Sequence, residues 1–353
     1  MTRLALDPAR AAAEMAEFCE RMSVAARRFA EIGAPPHDSA PRREVFRADK
    51  TVLWHYERNG PSLNLPPLVI CYALVNRPTM MDLQPDRSLI RGLLARGLDV
   101  YLIDWGYPDA GDRHLSLDDY VNRYLGGCIA HVQEAAKLPA VNLLGVCQGG
   151  TMSLCHAALH PERVRNLVTM VTPVDFHTEE NLLSKWVRKF DVDRMVDVLG
   201  NVPGELLSSV FLSLMPLRLT ARKYAGIADI ADDREALANF LRMERWIQDS
   251  PDQAGTAFRQ FVRWFFQENR LVRGGLEIGG QPVDARRIRC PLLNIYALQD
   301  HLVPPSASRP LAGLTGSQDY TAFEFDGGHI GIYVSKSAQE LLPRTIAQWL
   351  EKR

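Results

Sequence analysis

NLLGVCQGGTMSL, residues 142–154, runs from an apolar stretch into a glycine-rich turn and leaves in a pattern suited to a helix. Gly145-Val146-Cys147-Gln148-Gly149-Gly150 has the form Gly-x-nucleophile-x-Gly, in which a reactive residue sits on a sharp strand-to-helix turn. The nearby glycines remove side chains that would clash there. The helix N-terminus places partial positive charge near the sulfur of Cys147, which favours the thiolate. The backbone N–H of Gln148 then points at an oxyanion developing on a carbonyl under attack. A buried, purely structural thiol beside glycines reads the same way in isolation, so the partners of Cys147 decide.

Outward from this turn the chain alternates short apolar runs with helical stretches. "PPLVICYAL" from residue 66, "LDVYLIDWG", "AVNLLGVCQ" and "VRNLVTMVTPVDF" are nearly continuous apolar runs, as expected of strands buried on both faces. Between them, "SLIRGLLARG", "LSLDDYVNRYLGGCIAHVQEAAK" (with Ser116 as cap) and "TMSLCHAALH" carry helical spacing. This alternation predicts a mostly parallel sheet in a doubly wound α/β core over residues 45–176 and 286–353. Upstream, residues 8–33 read as a helix stopped by Gly33-Ala34-Pro35-Pro36, and 34–44 as a polar, proline-rich linker; together they make an N-terminal segment 1–44. "EVFRADKTVLWHYERNG" alternates and ends in Asn59-Gly60, a pair of edge strands with a turn. Residues 177–285 break the rhythm with helical patches rich in Trp, Phe and Leu, and read as a helical cap over the C-terminal edge of the sheet. The strands resume with "CPLLNIYALQD" and "DYTAFEFDGGH", and "SAQELLPRTIAQWLEK" closes the chain as a helix.

Two strand ends supply partners for Cys147. Asp300 ends "PLLNIYALQD", and His329 follows "TAFEF" in "DGGHIGIY". The chain order nucleophile, acid, base is that of an α/β-hydrolase triad. His329 takes the proton of a thiol or an incoming hydroxyl, and Asp300 holds its tautomer and orientation. The second oxyanion donor is expected after "PPLVICYAL", at the backbone N–H of Val75 within a residue or two. Other signals are weaker. His301 neighbours Asp300 along a loop and is expected to point elsewhere. His156 and His160 have the i, i+4 spacing of metal ligands but no accompanying HExxH glutamate, so a packed or solvated helix face is the better reading and no metal is expected. No dinucleotide or phosphate-loop glycine motif is present. Trp186, Trp246 and Trp264 read as core residues of the cap, or as the lining of an acyl tunnel.

Composition bounds the partners. With 41 basic and 42 acidic residues the net charge is −1, which gives no electrostatic reason to expect nucleic acid or an anionic membrane. No stretch approaches the ~20 apolar residues of a transmembrane segment, and the N-terminus lacks the apolar core of a secretory signal. Six scattered cysteines without a CxxC pair fit a reducing cytoplasm better than disulfides or structural zinc.

These motifs resemble the polyhydroxyalkanoate (PHA) synthases, which polymerise hydroxyacyl-CoA into storage polyester. "LLGVCQGG", "RNLVTMVTPVDF", "FLRMERWIQDSPDQAG", "NIYALQDHLVPP" and "GGHIGIYVS" carry the resemblance, from about residue 45 onward. It implies an α/β-hydrolase fold with Cys147, Asp300 and His329 as nucleophile, acid and base, and an aromatic near the site at Trp246. It implies release of CoA from a substrate thioester such as (R)-3-hydroxybutyryl-CoA, with no further cofactor. Single-subunit members carry a long extra N-terminal domain absent here. The resemblance is therefore to the PhaC subunit of two-component enzymes: class III with a PhaE-type partner, with class IV and a PhaR-type partner open. It further implies work at the surface of cytoplasmic polyester granules and dimerisation through the cap. A thiol suits such a synthase, because a thioester keeps the acyl group activated for the next transfer where an oxygen ester on serine would not. Two other readings remain from the residues alone: a Cys-dependent hydrolase or thioesterase that uses water, and a non-catalytic binding protein that retains the turn. Whether Asp300 assists directly or only orients His329 stays open.

Overall fold

β1 (Arg42–Ala48) and β2 (Thr51–Tyr56) form an antiparallel hairpin that turns at Asp49-Lys50, with Asp49 at positive φ. The computed structural model describes residues 7–36, 40–58 and 60–353, so Asn59, half of the expected Asn59-Gly60 turn, lies outside the described residues. Downstream come β3 (Leu68–Cys71), β4 (Val100–Asp104), β5 (Val141–Val146), β6 (Val164–Met170), β7 (Leu292–Ala297) and β8 (Tyr320–Phe325). The eight strands make one sheet in the order β1-β2-β4-β3-β5-β6-β7-β8. β1 is an edge strand; β2 is not, because it pairs antiparallel with β4. From β4 onward every pairing is parallel.

β3, β4, β5 and β7 are buried at every position, which is why these runs are apolar without alternation. The helices that cover the faces follow from local signals. Ser116 and Asp119 cap each other ahead of the helical stretch to Ala136, Asp119 N–H reaching Ser116 Oγ and Ser116 N–H reaching Asp119 Oδ2 at 2.8 Å. That helix begins with wider, π-helical winding over Asp119–Leu125 before Gly126–Ala136. Parallel strands share one C-terminal edge. The segments leaving β3, β5, β7 and β8 therefore emerge together, and that edge is where open α/β sheets place their sites.

The chain divides into two compact units, Met1–His37 with Ser208–Gln248 and Asp38–Leu207 with Asp249–Arg353. This division differs from the three segments read from the sequence, since 177–285 contributes to both units and the N-terminal helix is not set apart on its own. In the smaller unit, helix Pro8–Ile32 starts on an Asp7 cap and stops at Gly33. It packs on helix Arg234–Gln248 around Ala25, Ile227, Ala231 and Leu237, with Phe29 and Phe240 stacked at 5.9 Å. In the larger unit, residues 249–285 join the core of the sheet. Phe261, Phe265 and Phe266 surround Phe176 at 4.8–5.9 Å, and Ala257 N–H donates to the carbonyl of Leu115. The apolar helices read as a cap thus have two different partners.

Candidate active site

Cys147 ends β5 and precedes helix Gln148–Leu159. Its φ of 53° and ψ of −123° lie outside the regions a β-carbon favours, so the backbone is strained at the candidate nucleophile. Packing enforces the turn. A Cβ on Gly145 would sit 2.5 Å from Gly150 Cα; one on Gly149 would overlap the carbonyls of Cys71 and Tyr72, and one on Gly150 would overlap Thr172. Cys147 N–H donates to Met170 O at 2.9 Å and its carbonyl accepts from Gly150 at 2.9 Å, which ties the turn to β6 and to its own helix.

Asp300 follows β7 and His329 follows β8, both buried. His329 Nδ1 lies 2.6 Å from Asp300 Oδ2, while Asp300 Oδ1 accepts the N–H groups of Leu302 and Val303, each at 2.8 Å. The carboxylate is thus anchored by its own loop and the ring by the carboxylate. Cys147 lies close enough to the imidazole to influence its charge. With Nδ1 taken by Asp300, this leaves Nε2 for the sulfur. Burial pushes the His329 pKa down, but Asp300 and Cys147 outweigh it and raise it to about 10. The structure therefore joins His329 to Asp300, with Cys147 near enough to raise the histidine's pKa. Burial pushes the thiols of Cys71 and Cys155 up to about 12 and that of Cys290 to about 11.

Gln148 is the first residue of its helix, so its N–H has no carbonyl within that helix. Val75 lies in the loop after β3, half-buried, next to Leu74, whose N–H donates to Gln148 Oε1 at 3.1 Å. The loop with the second expected donor is thereby tied to the residue that carries the first. Trp246 is buried in helix Arg234–Gln248 of the smaller unit. Trp264 is partly buried under the guanidinium of Arg270, and Trp186 is exposed, so the three tryptophans do not share one environment.

Two tyrosines escaped the sequence reading. Tyr72 and Tyr333 are buried with their rings 6.4 Å apart, and Tyr333 stands edge-on to His329 at 6.1 Å. The Tyr333 hydroxyl has no hydrogen-bond partner. Burial, then Tyr72, Cys147 and Asp300, push its pKa well up, so the hydroxyl stays protonated. The i, i+4 spacing of His329 and Tyr333 was the available signal. His156 and His160 also adjoin, at 4.8 Å, but His156 Nδ1 meets the Val121 carbonyl and His160 Nε2 meets Asn122 Oδ1. Burial lowers the His156 pKa to about 3, as for a neutral packing residue. Among the described residues no cluster of three His, Cys, Asp or Glu is placed to hold a metal, and no helix is long and apolar enough to cross a membrane.

The sheet order and strand-end site define a class, and the family model for the α/β hydrolase fold matches residues 66–335. A thermophilic esterase from Thermogutta terrifontis shares the fold at TM-score 0.53 and 15% identity, over 89% of this chain and 99% of the other. A monoacylglycerol lipase from Paleococcus ferrophilus does so at TM-score 0.51 and 17% identity, over 85% and 98%. Much nearer are proteins named poly(3-hydroxyalkanoate) polymerase subunit PhaC. That of Allochromatium vinosum is 54% identical over 96% of both chains, and that of Thiocystis violacea 50% identical over 100% of both. The chain belongs to the poly(3-hydroxyalkanoate) polymerase family within the α/β-hydrolase fold.

Proposed function

We propose that this chain is the catalytic subunit of a two-component polyester synthase that polymerises short (R)-3-hydroxyacyl groups, such as 3-hydroxybutyryl, from CoA. The observation that carries the reading is the His329–Asp300 hydrogen bond at the sheet edge, with Cys147 on its strained turn near the imidazole. The family membership and the relatives' names support it.

Cys147 sulfur attacks the thioester carbonyl of the substrate, and the carbonyl π pair moves onto oxygen. The N–H groups of Gln148 and Val75 receive that oxyanion. Collapse of the tetrahedral adduct breaks the bond to CoA sulfur, and the His329 imidazolium protonates the departing CoA thiolate. The product is an acyl thioester on Cys147, as activated as the substrate was. Neutral His329 then takes the proton from the 3-hydroxyl of the next monomer or chain end, whose oxygen attacks the acyl carbon. The C–S bond breaks, an ester forms, and the Cys147 sulfur regains the proton through His329. Asp300, anchored by Leu302 and Val303, keeps the imidazole in register throughout. No cofactor is required beyond the CoA thioester, which is the substrate. Tunnel lining by Trp246 belongs to this proposal.

The partner reading is a PhaE-type accessory subunit, as in class III enzymes, with a PhaR-type subunit as the alternative, and self-association into a homodimer through the cap. The relatives' designation as subunits supports a partner. So do exposed apolar residues such as Trp186 and Val198 in the larger unit. The working place proposed is the surface of the growing polyester granule in the cytoplasm. The test mixes purified chain, with and without accessory subunit, with (R)-3-hydroxybutyryl-CoA and follows free CoA and turbidity together. CoA with polymer is expected. CoA with soluble 3-hydroxybutyrate would make the chain a thioesterase, and release of neither would make it a binding protein.

A further inference from the structure

The loop after β3 is held at Leu74 by two glutamines from distant parts of the chain. Gln148 Oε1 accepts the Leu74 N–H at 3.1 Å, and Gln253 Nε2 donates to the Leu74 carbonyl at 3.0 Å. That carbonyl belongs to the same peptide plane as the N–H of Val75. A trans peptide is planar, with C=O and N–H pointing opposite ways, so a donor fixed on Leu74 O sets where the Val75 N–H points. A hydrogen bond to the carbonyl also polarises the peptide and strengthens its N–H as a donor.

Gln253 is well placed to hold that plane. It is buried, and its amide also donates to Pro251 O at 3.1 Å, so both of its N–H hydrogens are committed. Its backbone pairs with Val202 in both directions, at 2.8 and 2.9 Å. Gly204 N–H donates to Asp252 Oδ1 and Gly255 N–H to Asn201 Oδ1, so residues 201–204 and 251–255 form a two-stranded strap. The strap sits where the chain departs for, and returns from, Ser208–Gln248.

We propose that Gln253 is a positioning residue of the oxyanion site. It orients the Leu74–Val75 peptide so that the Val75 N–H meets the oxyanion, and it ties that peptide to the strap at the root of the inserted segment. This rests on the acyl-transfer reading above, in which Val75 and Gln148 supply the oxyanion donors.

Gln253→Met keeps length and removes the donor. Its rate of Cys147 acylation by (R)-3-hydroxybutyryl-CoA, read by rapid quench, is expected to fall about 10- to 100-fold with KM changed less than about threefold. A CoA-derived trifluoromethyl ketone, which Cys147 converts to a tetrahedral oxyanion adduct, is expected to lose affinity by the same factor. A CoA thioether lacking the carbonyl should bind as before. A merely structural role for Gln253 would weaken both ligands alike, and that result overturns the proposal, as does wild-type acylation by the variant. If Gln253→Met does not fold, Gln148→Met removes the other anchor of Leu74 and leaves the strap intact. It should show the same selective loss, smaller in size, and equal loss for both ligands overturns the idea there too. Wild-type protein that takes no acyl group from the thioester overturns the acyl-transfer reading itself, and this role with it.

Discussion

The turn at Cys147 and the helical stretch Leu182–Leu199 belong to the same compact unit and are built on opposite plans. Around Cys147 almost everything is committed: β5 is buried throughout, the following helix is buried from Gly149 to Ala158, and the glycines leave no room for a methyl group. In Leu182–Leu199 only Ser184, Val192 and Val196 are buried, while Trp186, Phe190, Val198 and Leu199 face outward. The stretch is fastened by Val192 and Val196, which cluster with Val202 and Val262, and by ion pairs of Asp193 with Arg259 and Arg263 and of Asp197 with Arg259. One region holds strained geometry by packing and by backbone hydrogen bonds to Met170 and Gly150. The other leaves large apolar side chains exposed.

The largest expected effect lies at the turn. Cys147→Ala should lose about 10⁴-fold or more of CoA release and all covalent acyl labelling, with the fold intact. Cys147→Ser should fail nearly as completely, because its oxygen ester is a poor donor. Cys147→Gly should be equally inactive yet unfold at higher temperature than Cys147→Ala. Relief of about 1–3 kcal/mol of backbone strain exceeds the ~1 kcal/mol that glycine costs through the unfolded chain. Wild-type polymer yield from the alanine variant would remove Cys147 from the reaction, and a less stable glycine variant would show that the strain is absent.

Next in size is the anchor of the base. Asp300→Asn keeps an acceptor for Leu302 and Val303 but presents an amide donor to His329 Nδ1, so turnover should fall about 10²- to 10⁴-fold. A loss confined to elongation, with acyl-enzyme forming at the normal rate, would give Asp300 a direct part in activating the hydroxyl. The same pair makes a pH prediction. His329 has a folded pKa raised from 6.5 to about 10, so its charged contacts contribute stability in full below about pH 6.5. That contribution is lost as pH rises through about 10. The stability gap between wild type and Asp300→Asn should accordingly narrow from neutral to alkaline pH in denaturant titrations, and a gap that widens would reverse the sign.

Third comes packing. Gly150→Ala puts a methyl into the space of the buried Thr172 side chain and should cost about 1–3 kcal/mol or more. Gly313→Ala, where the added carbon meets nothing within 4 Å, should stay within about 0.5 kcal/mol. Equal melting temperatures for the two would mean the turn tolerates rearrangement that its packing argues against.

How far the sequence carried the fold depended on the range of each interaction. β3 to β7 were legible because burial on both faces leaves a continuous apolar run. The strand-end positions of Cys147 and Asp300 follow from that alone, whereas His329 follows β8, a partly exposed edge strand. The division of residues 177–285 was not legible. Helical periodicity marks an apolar face but not its partner, and helix Arg234–Gln248 meets the N-terminal helix, whereas Gly255–Phe261 packs on Val192–Leu199 and Ala110–His114 and joins the core cluster of the larger unit. The hairpin at Asp49-Lys50 lacked the usual Asn-Gly signal. Gln253 could not be found by pattern, since its bond to Leu74 spans 179 residues. Tyr333 was within reach, four residues beyond the histidine in the short helix Gly331–Val334.

The smallest expected effect separates two faces of one helix. In Val192–Leu199, Val196 is buried and Val198 is 75% exposed. Val196→Ala should cost about 1–3 kcal/mol through lost burial and a residual cavity, while Val198→Ser should stay within about 0.5 kcal/mol. If the outward face is covered by a second copy or an accessory subunit, Val198→Ser combined with Trp186→Ser should shift sedimentation toward the monomer without lowering the melting temperature of the dilute chain. Activity with accessory subunit should then require a higher subunit concentration for half-maximal effect, while the acylation rate at saturation stays unchanged. Unchanged sedimentation and unchanged subunit titration would leave these residues as ordinary exposed apolar side chains. A melting temperature that falls as far as for Val196→Ala would place Val198 in the core and dissolve the contrast with the turn at Cys147.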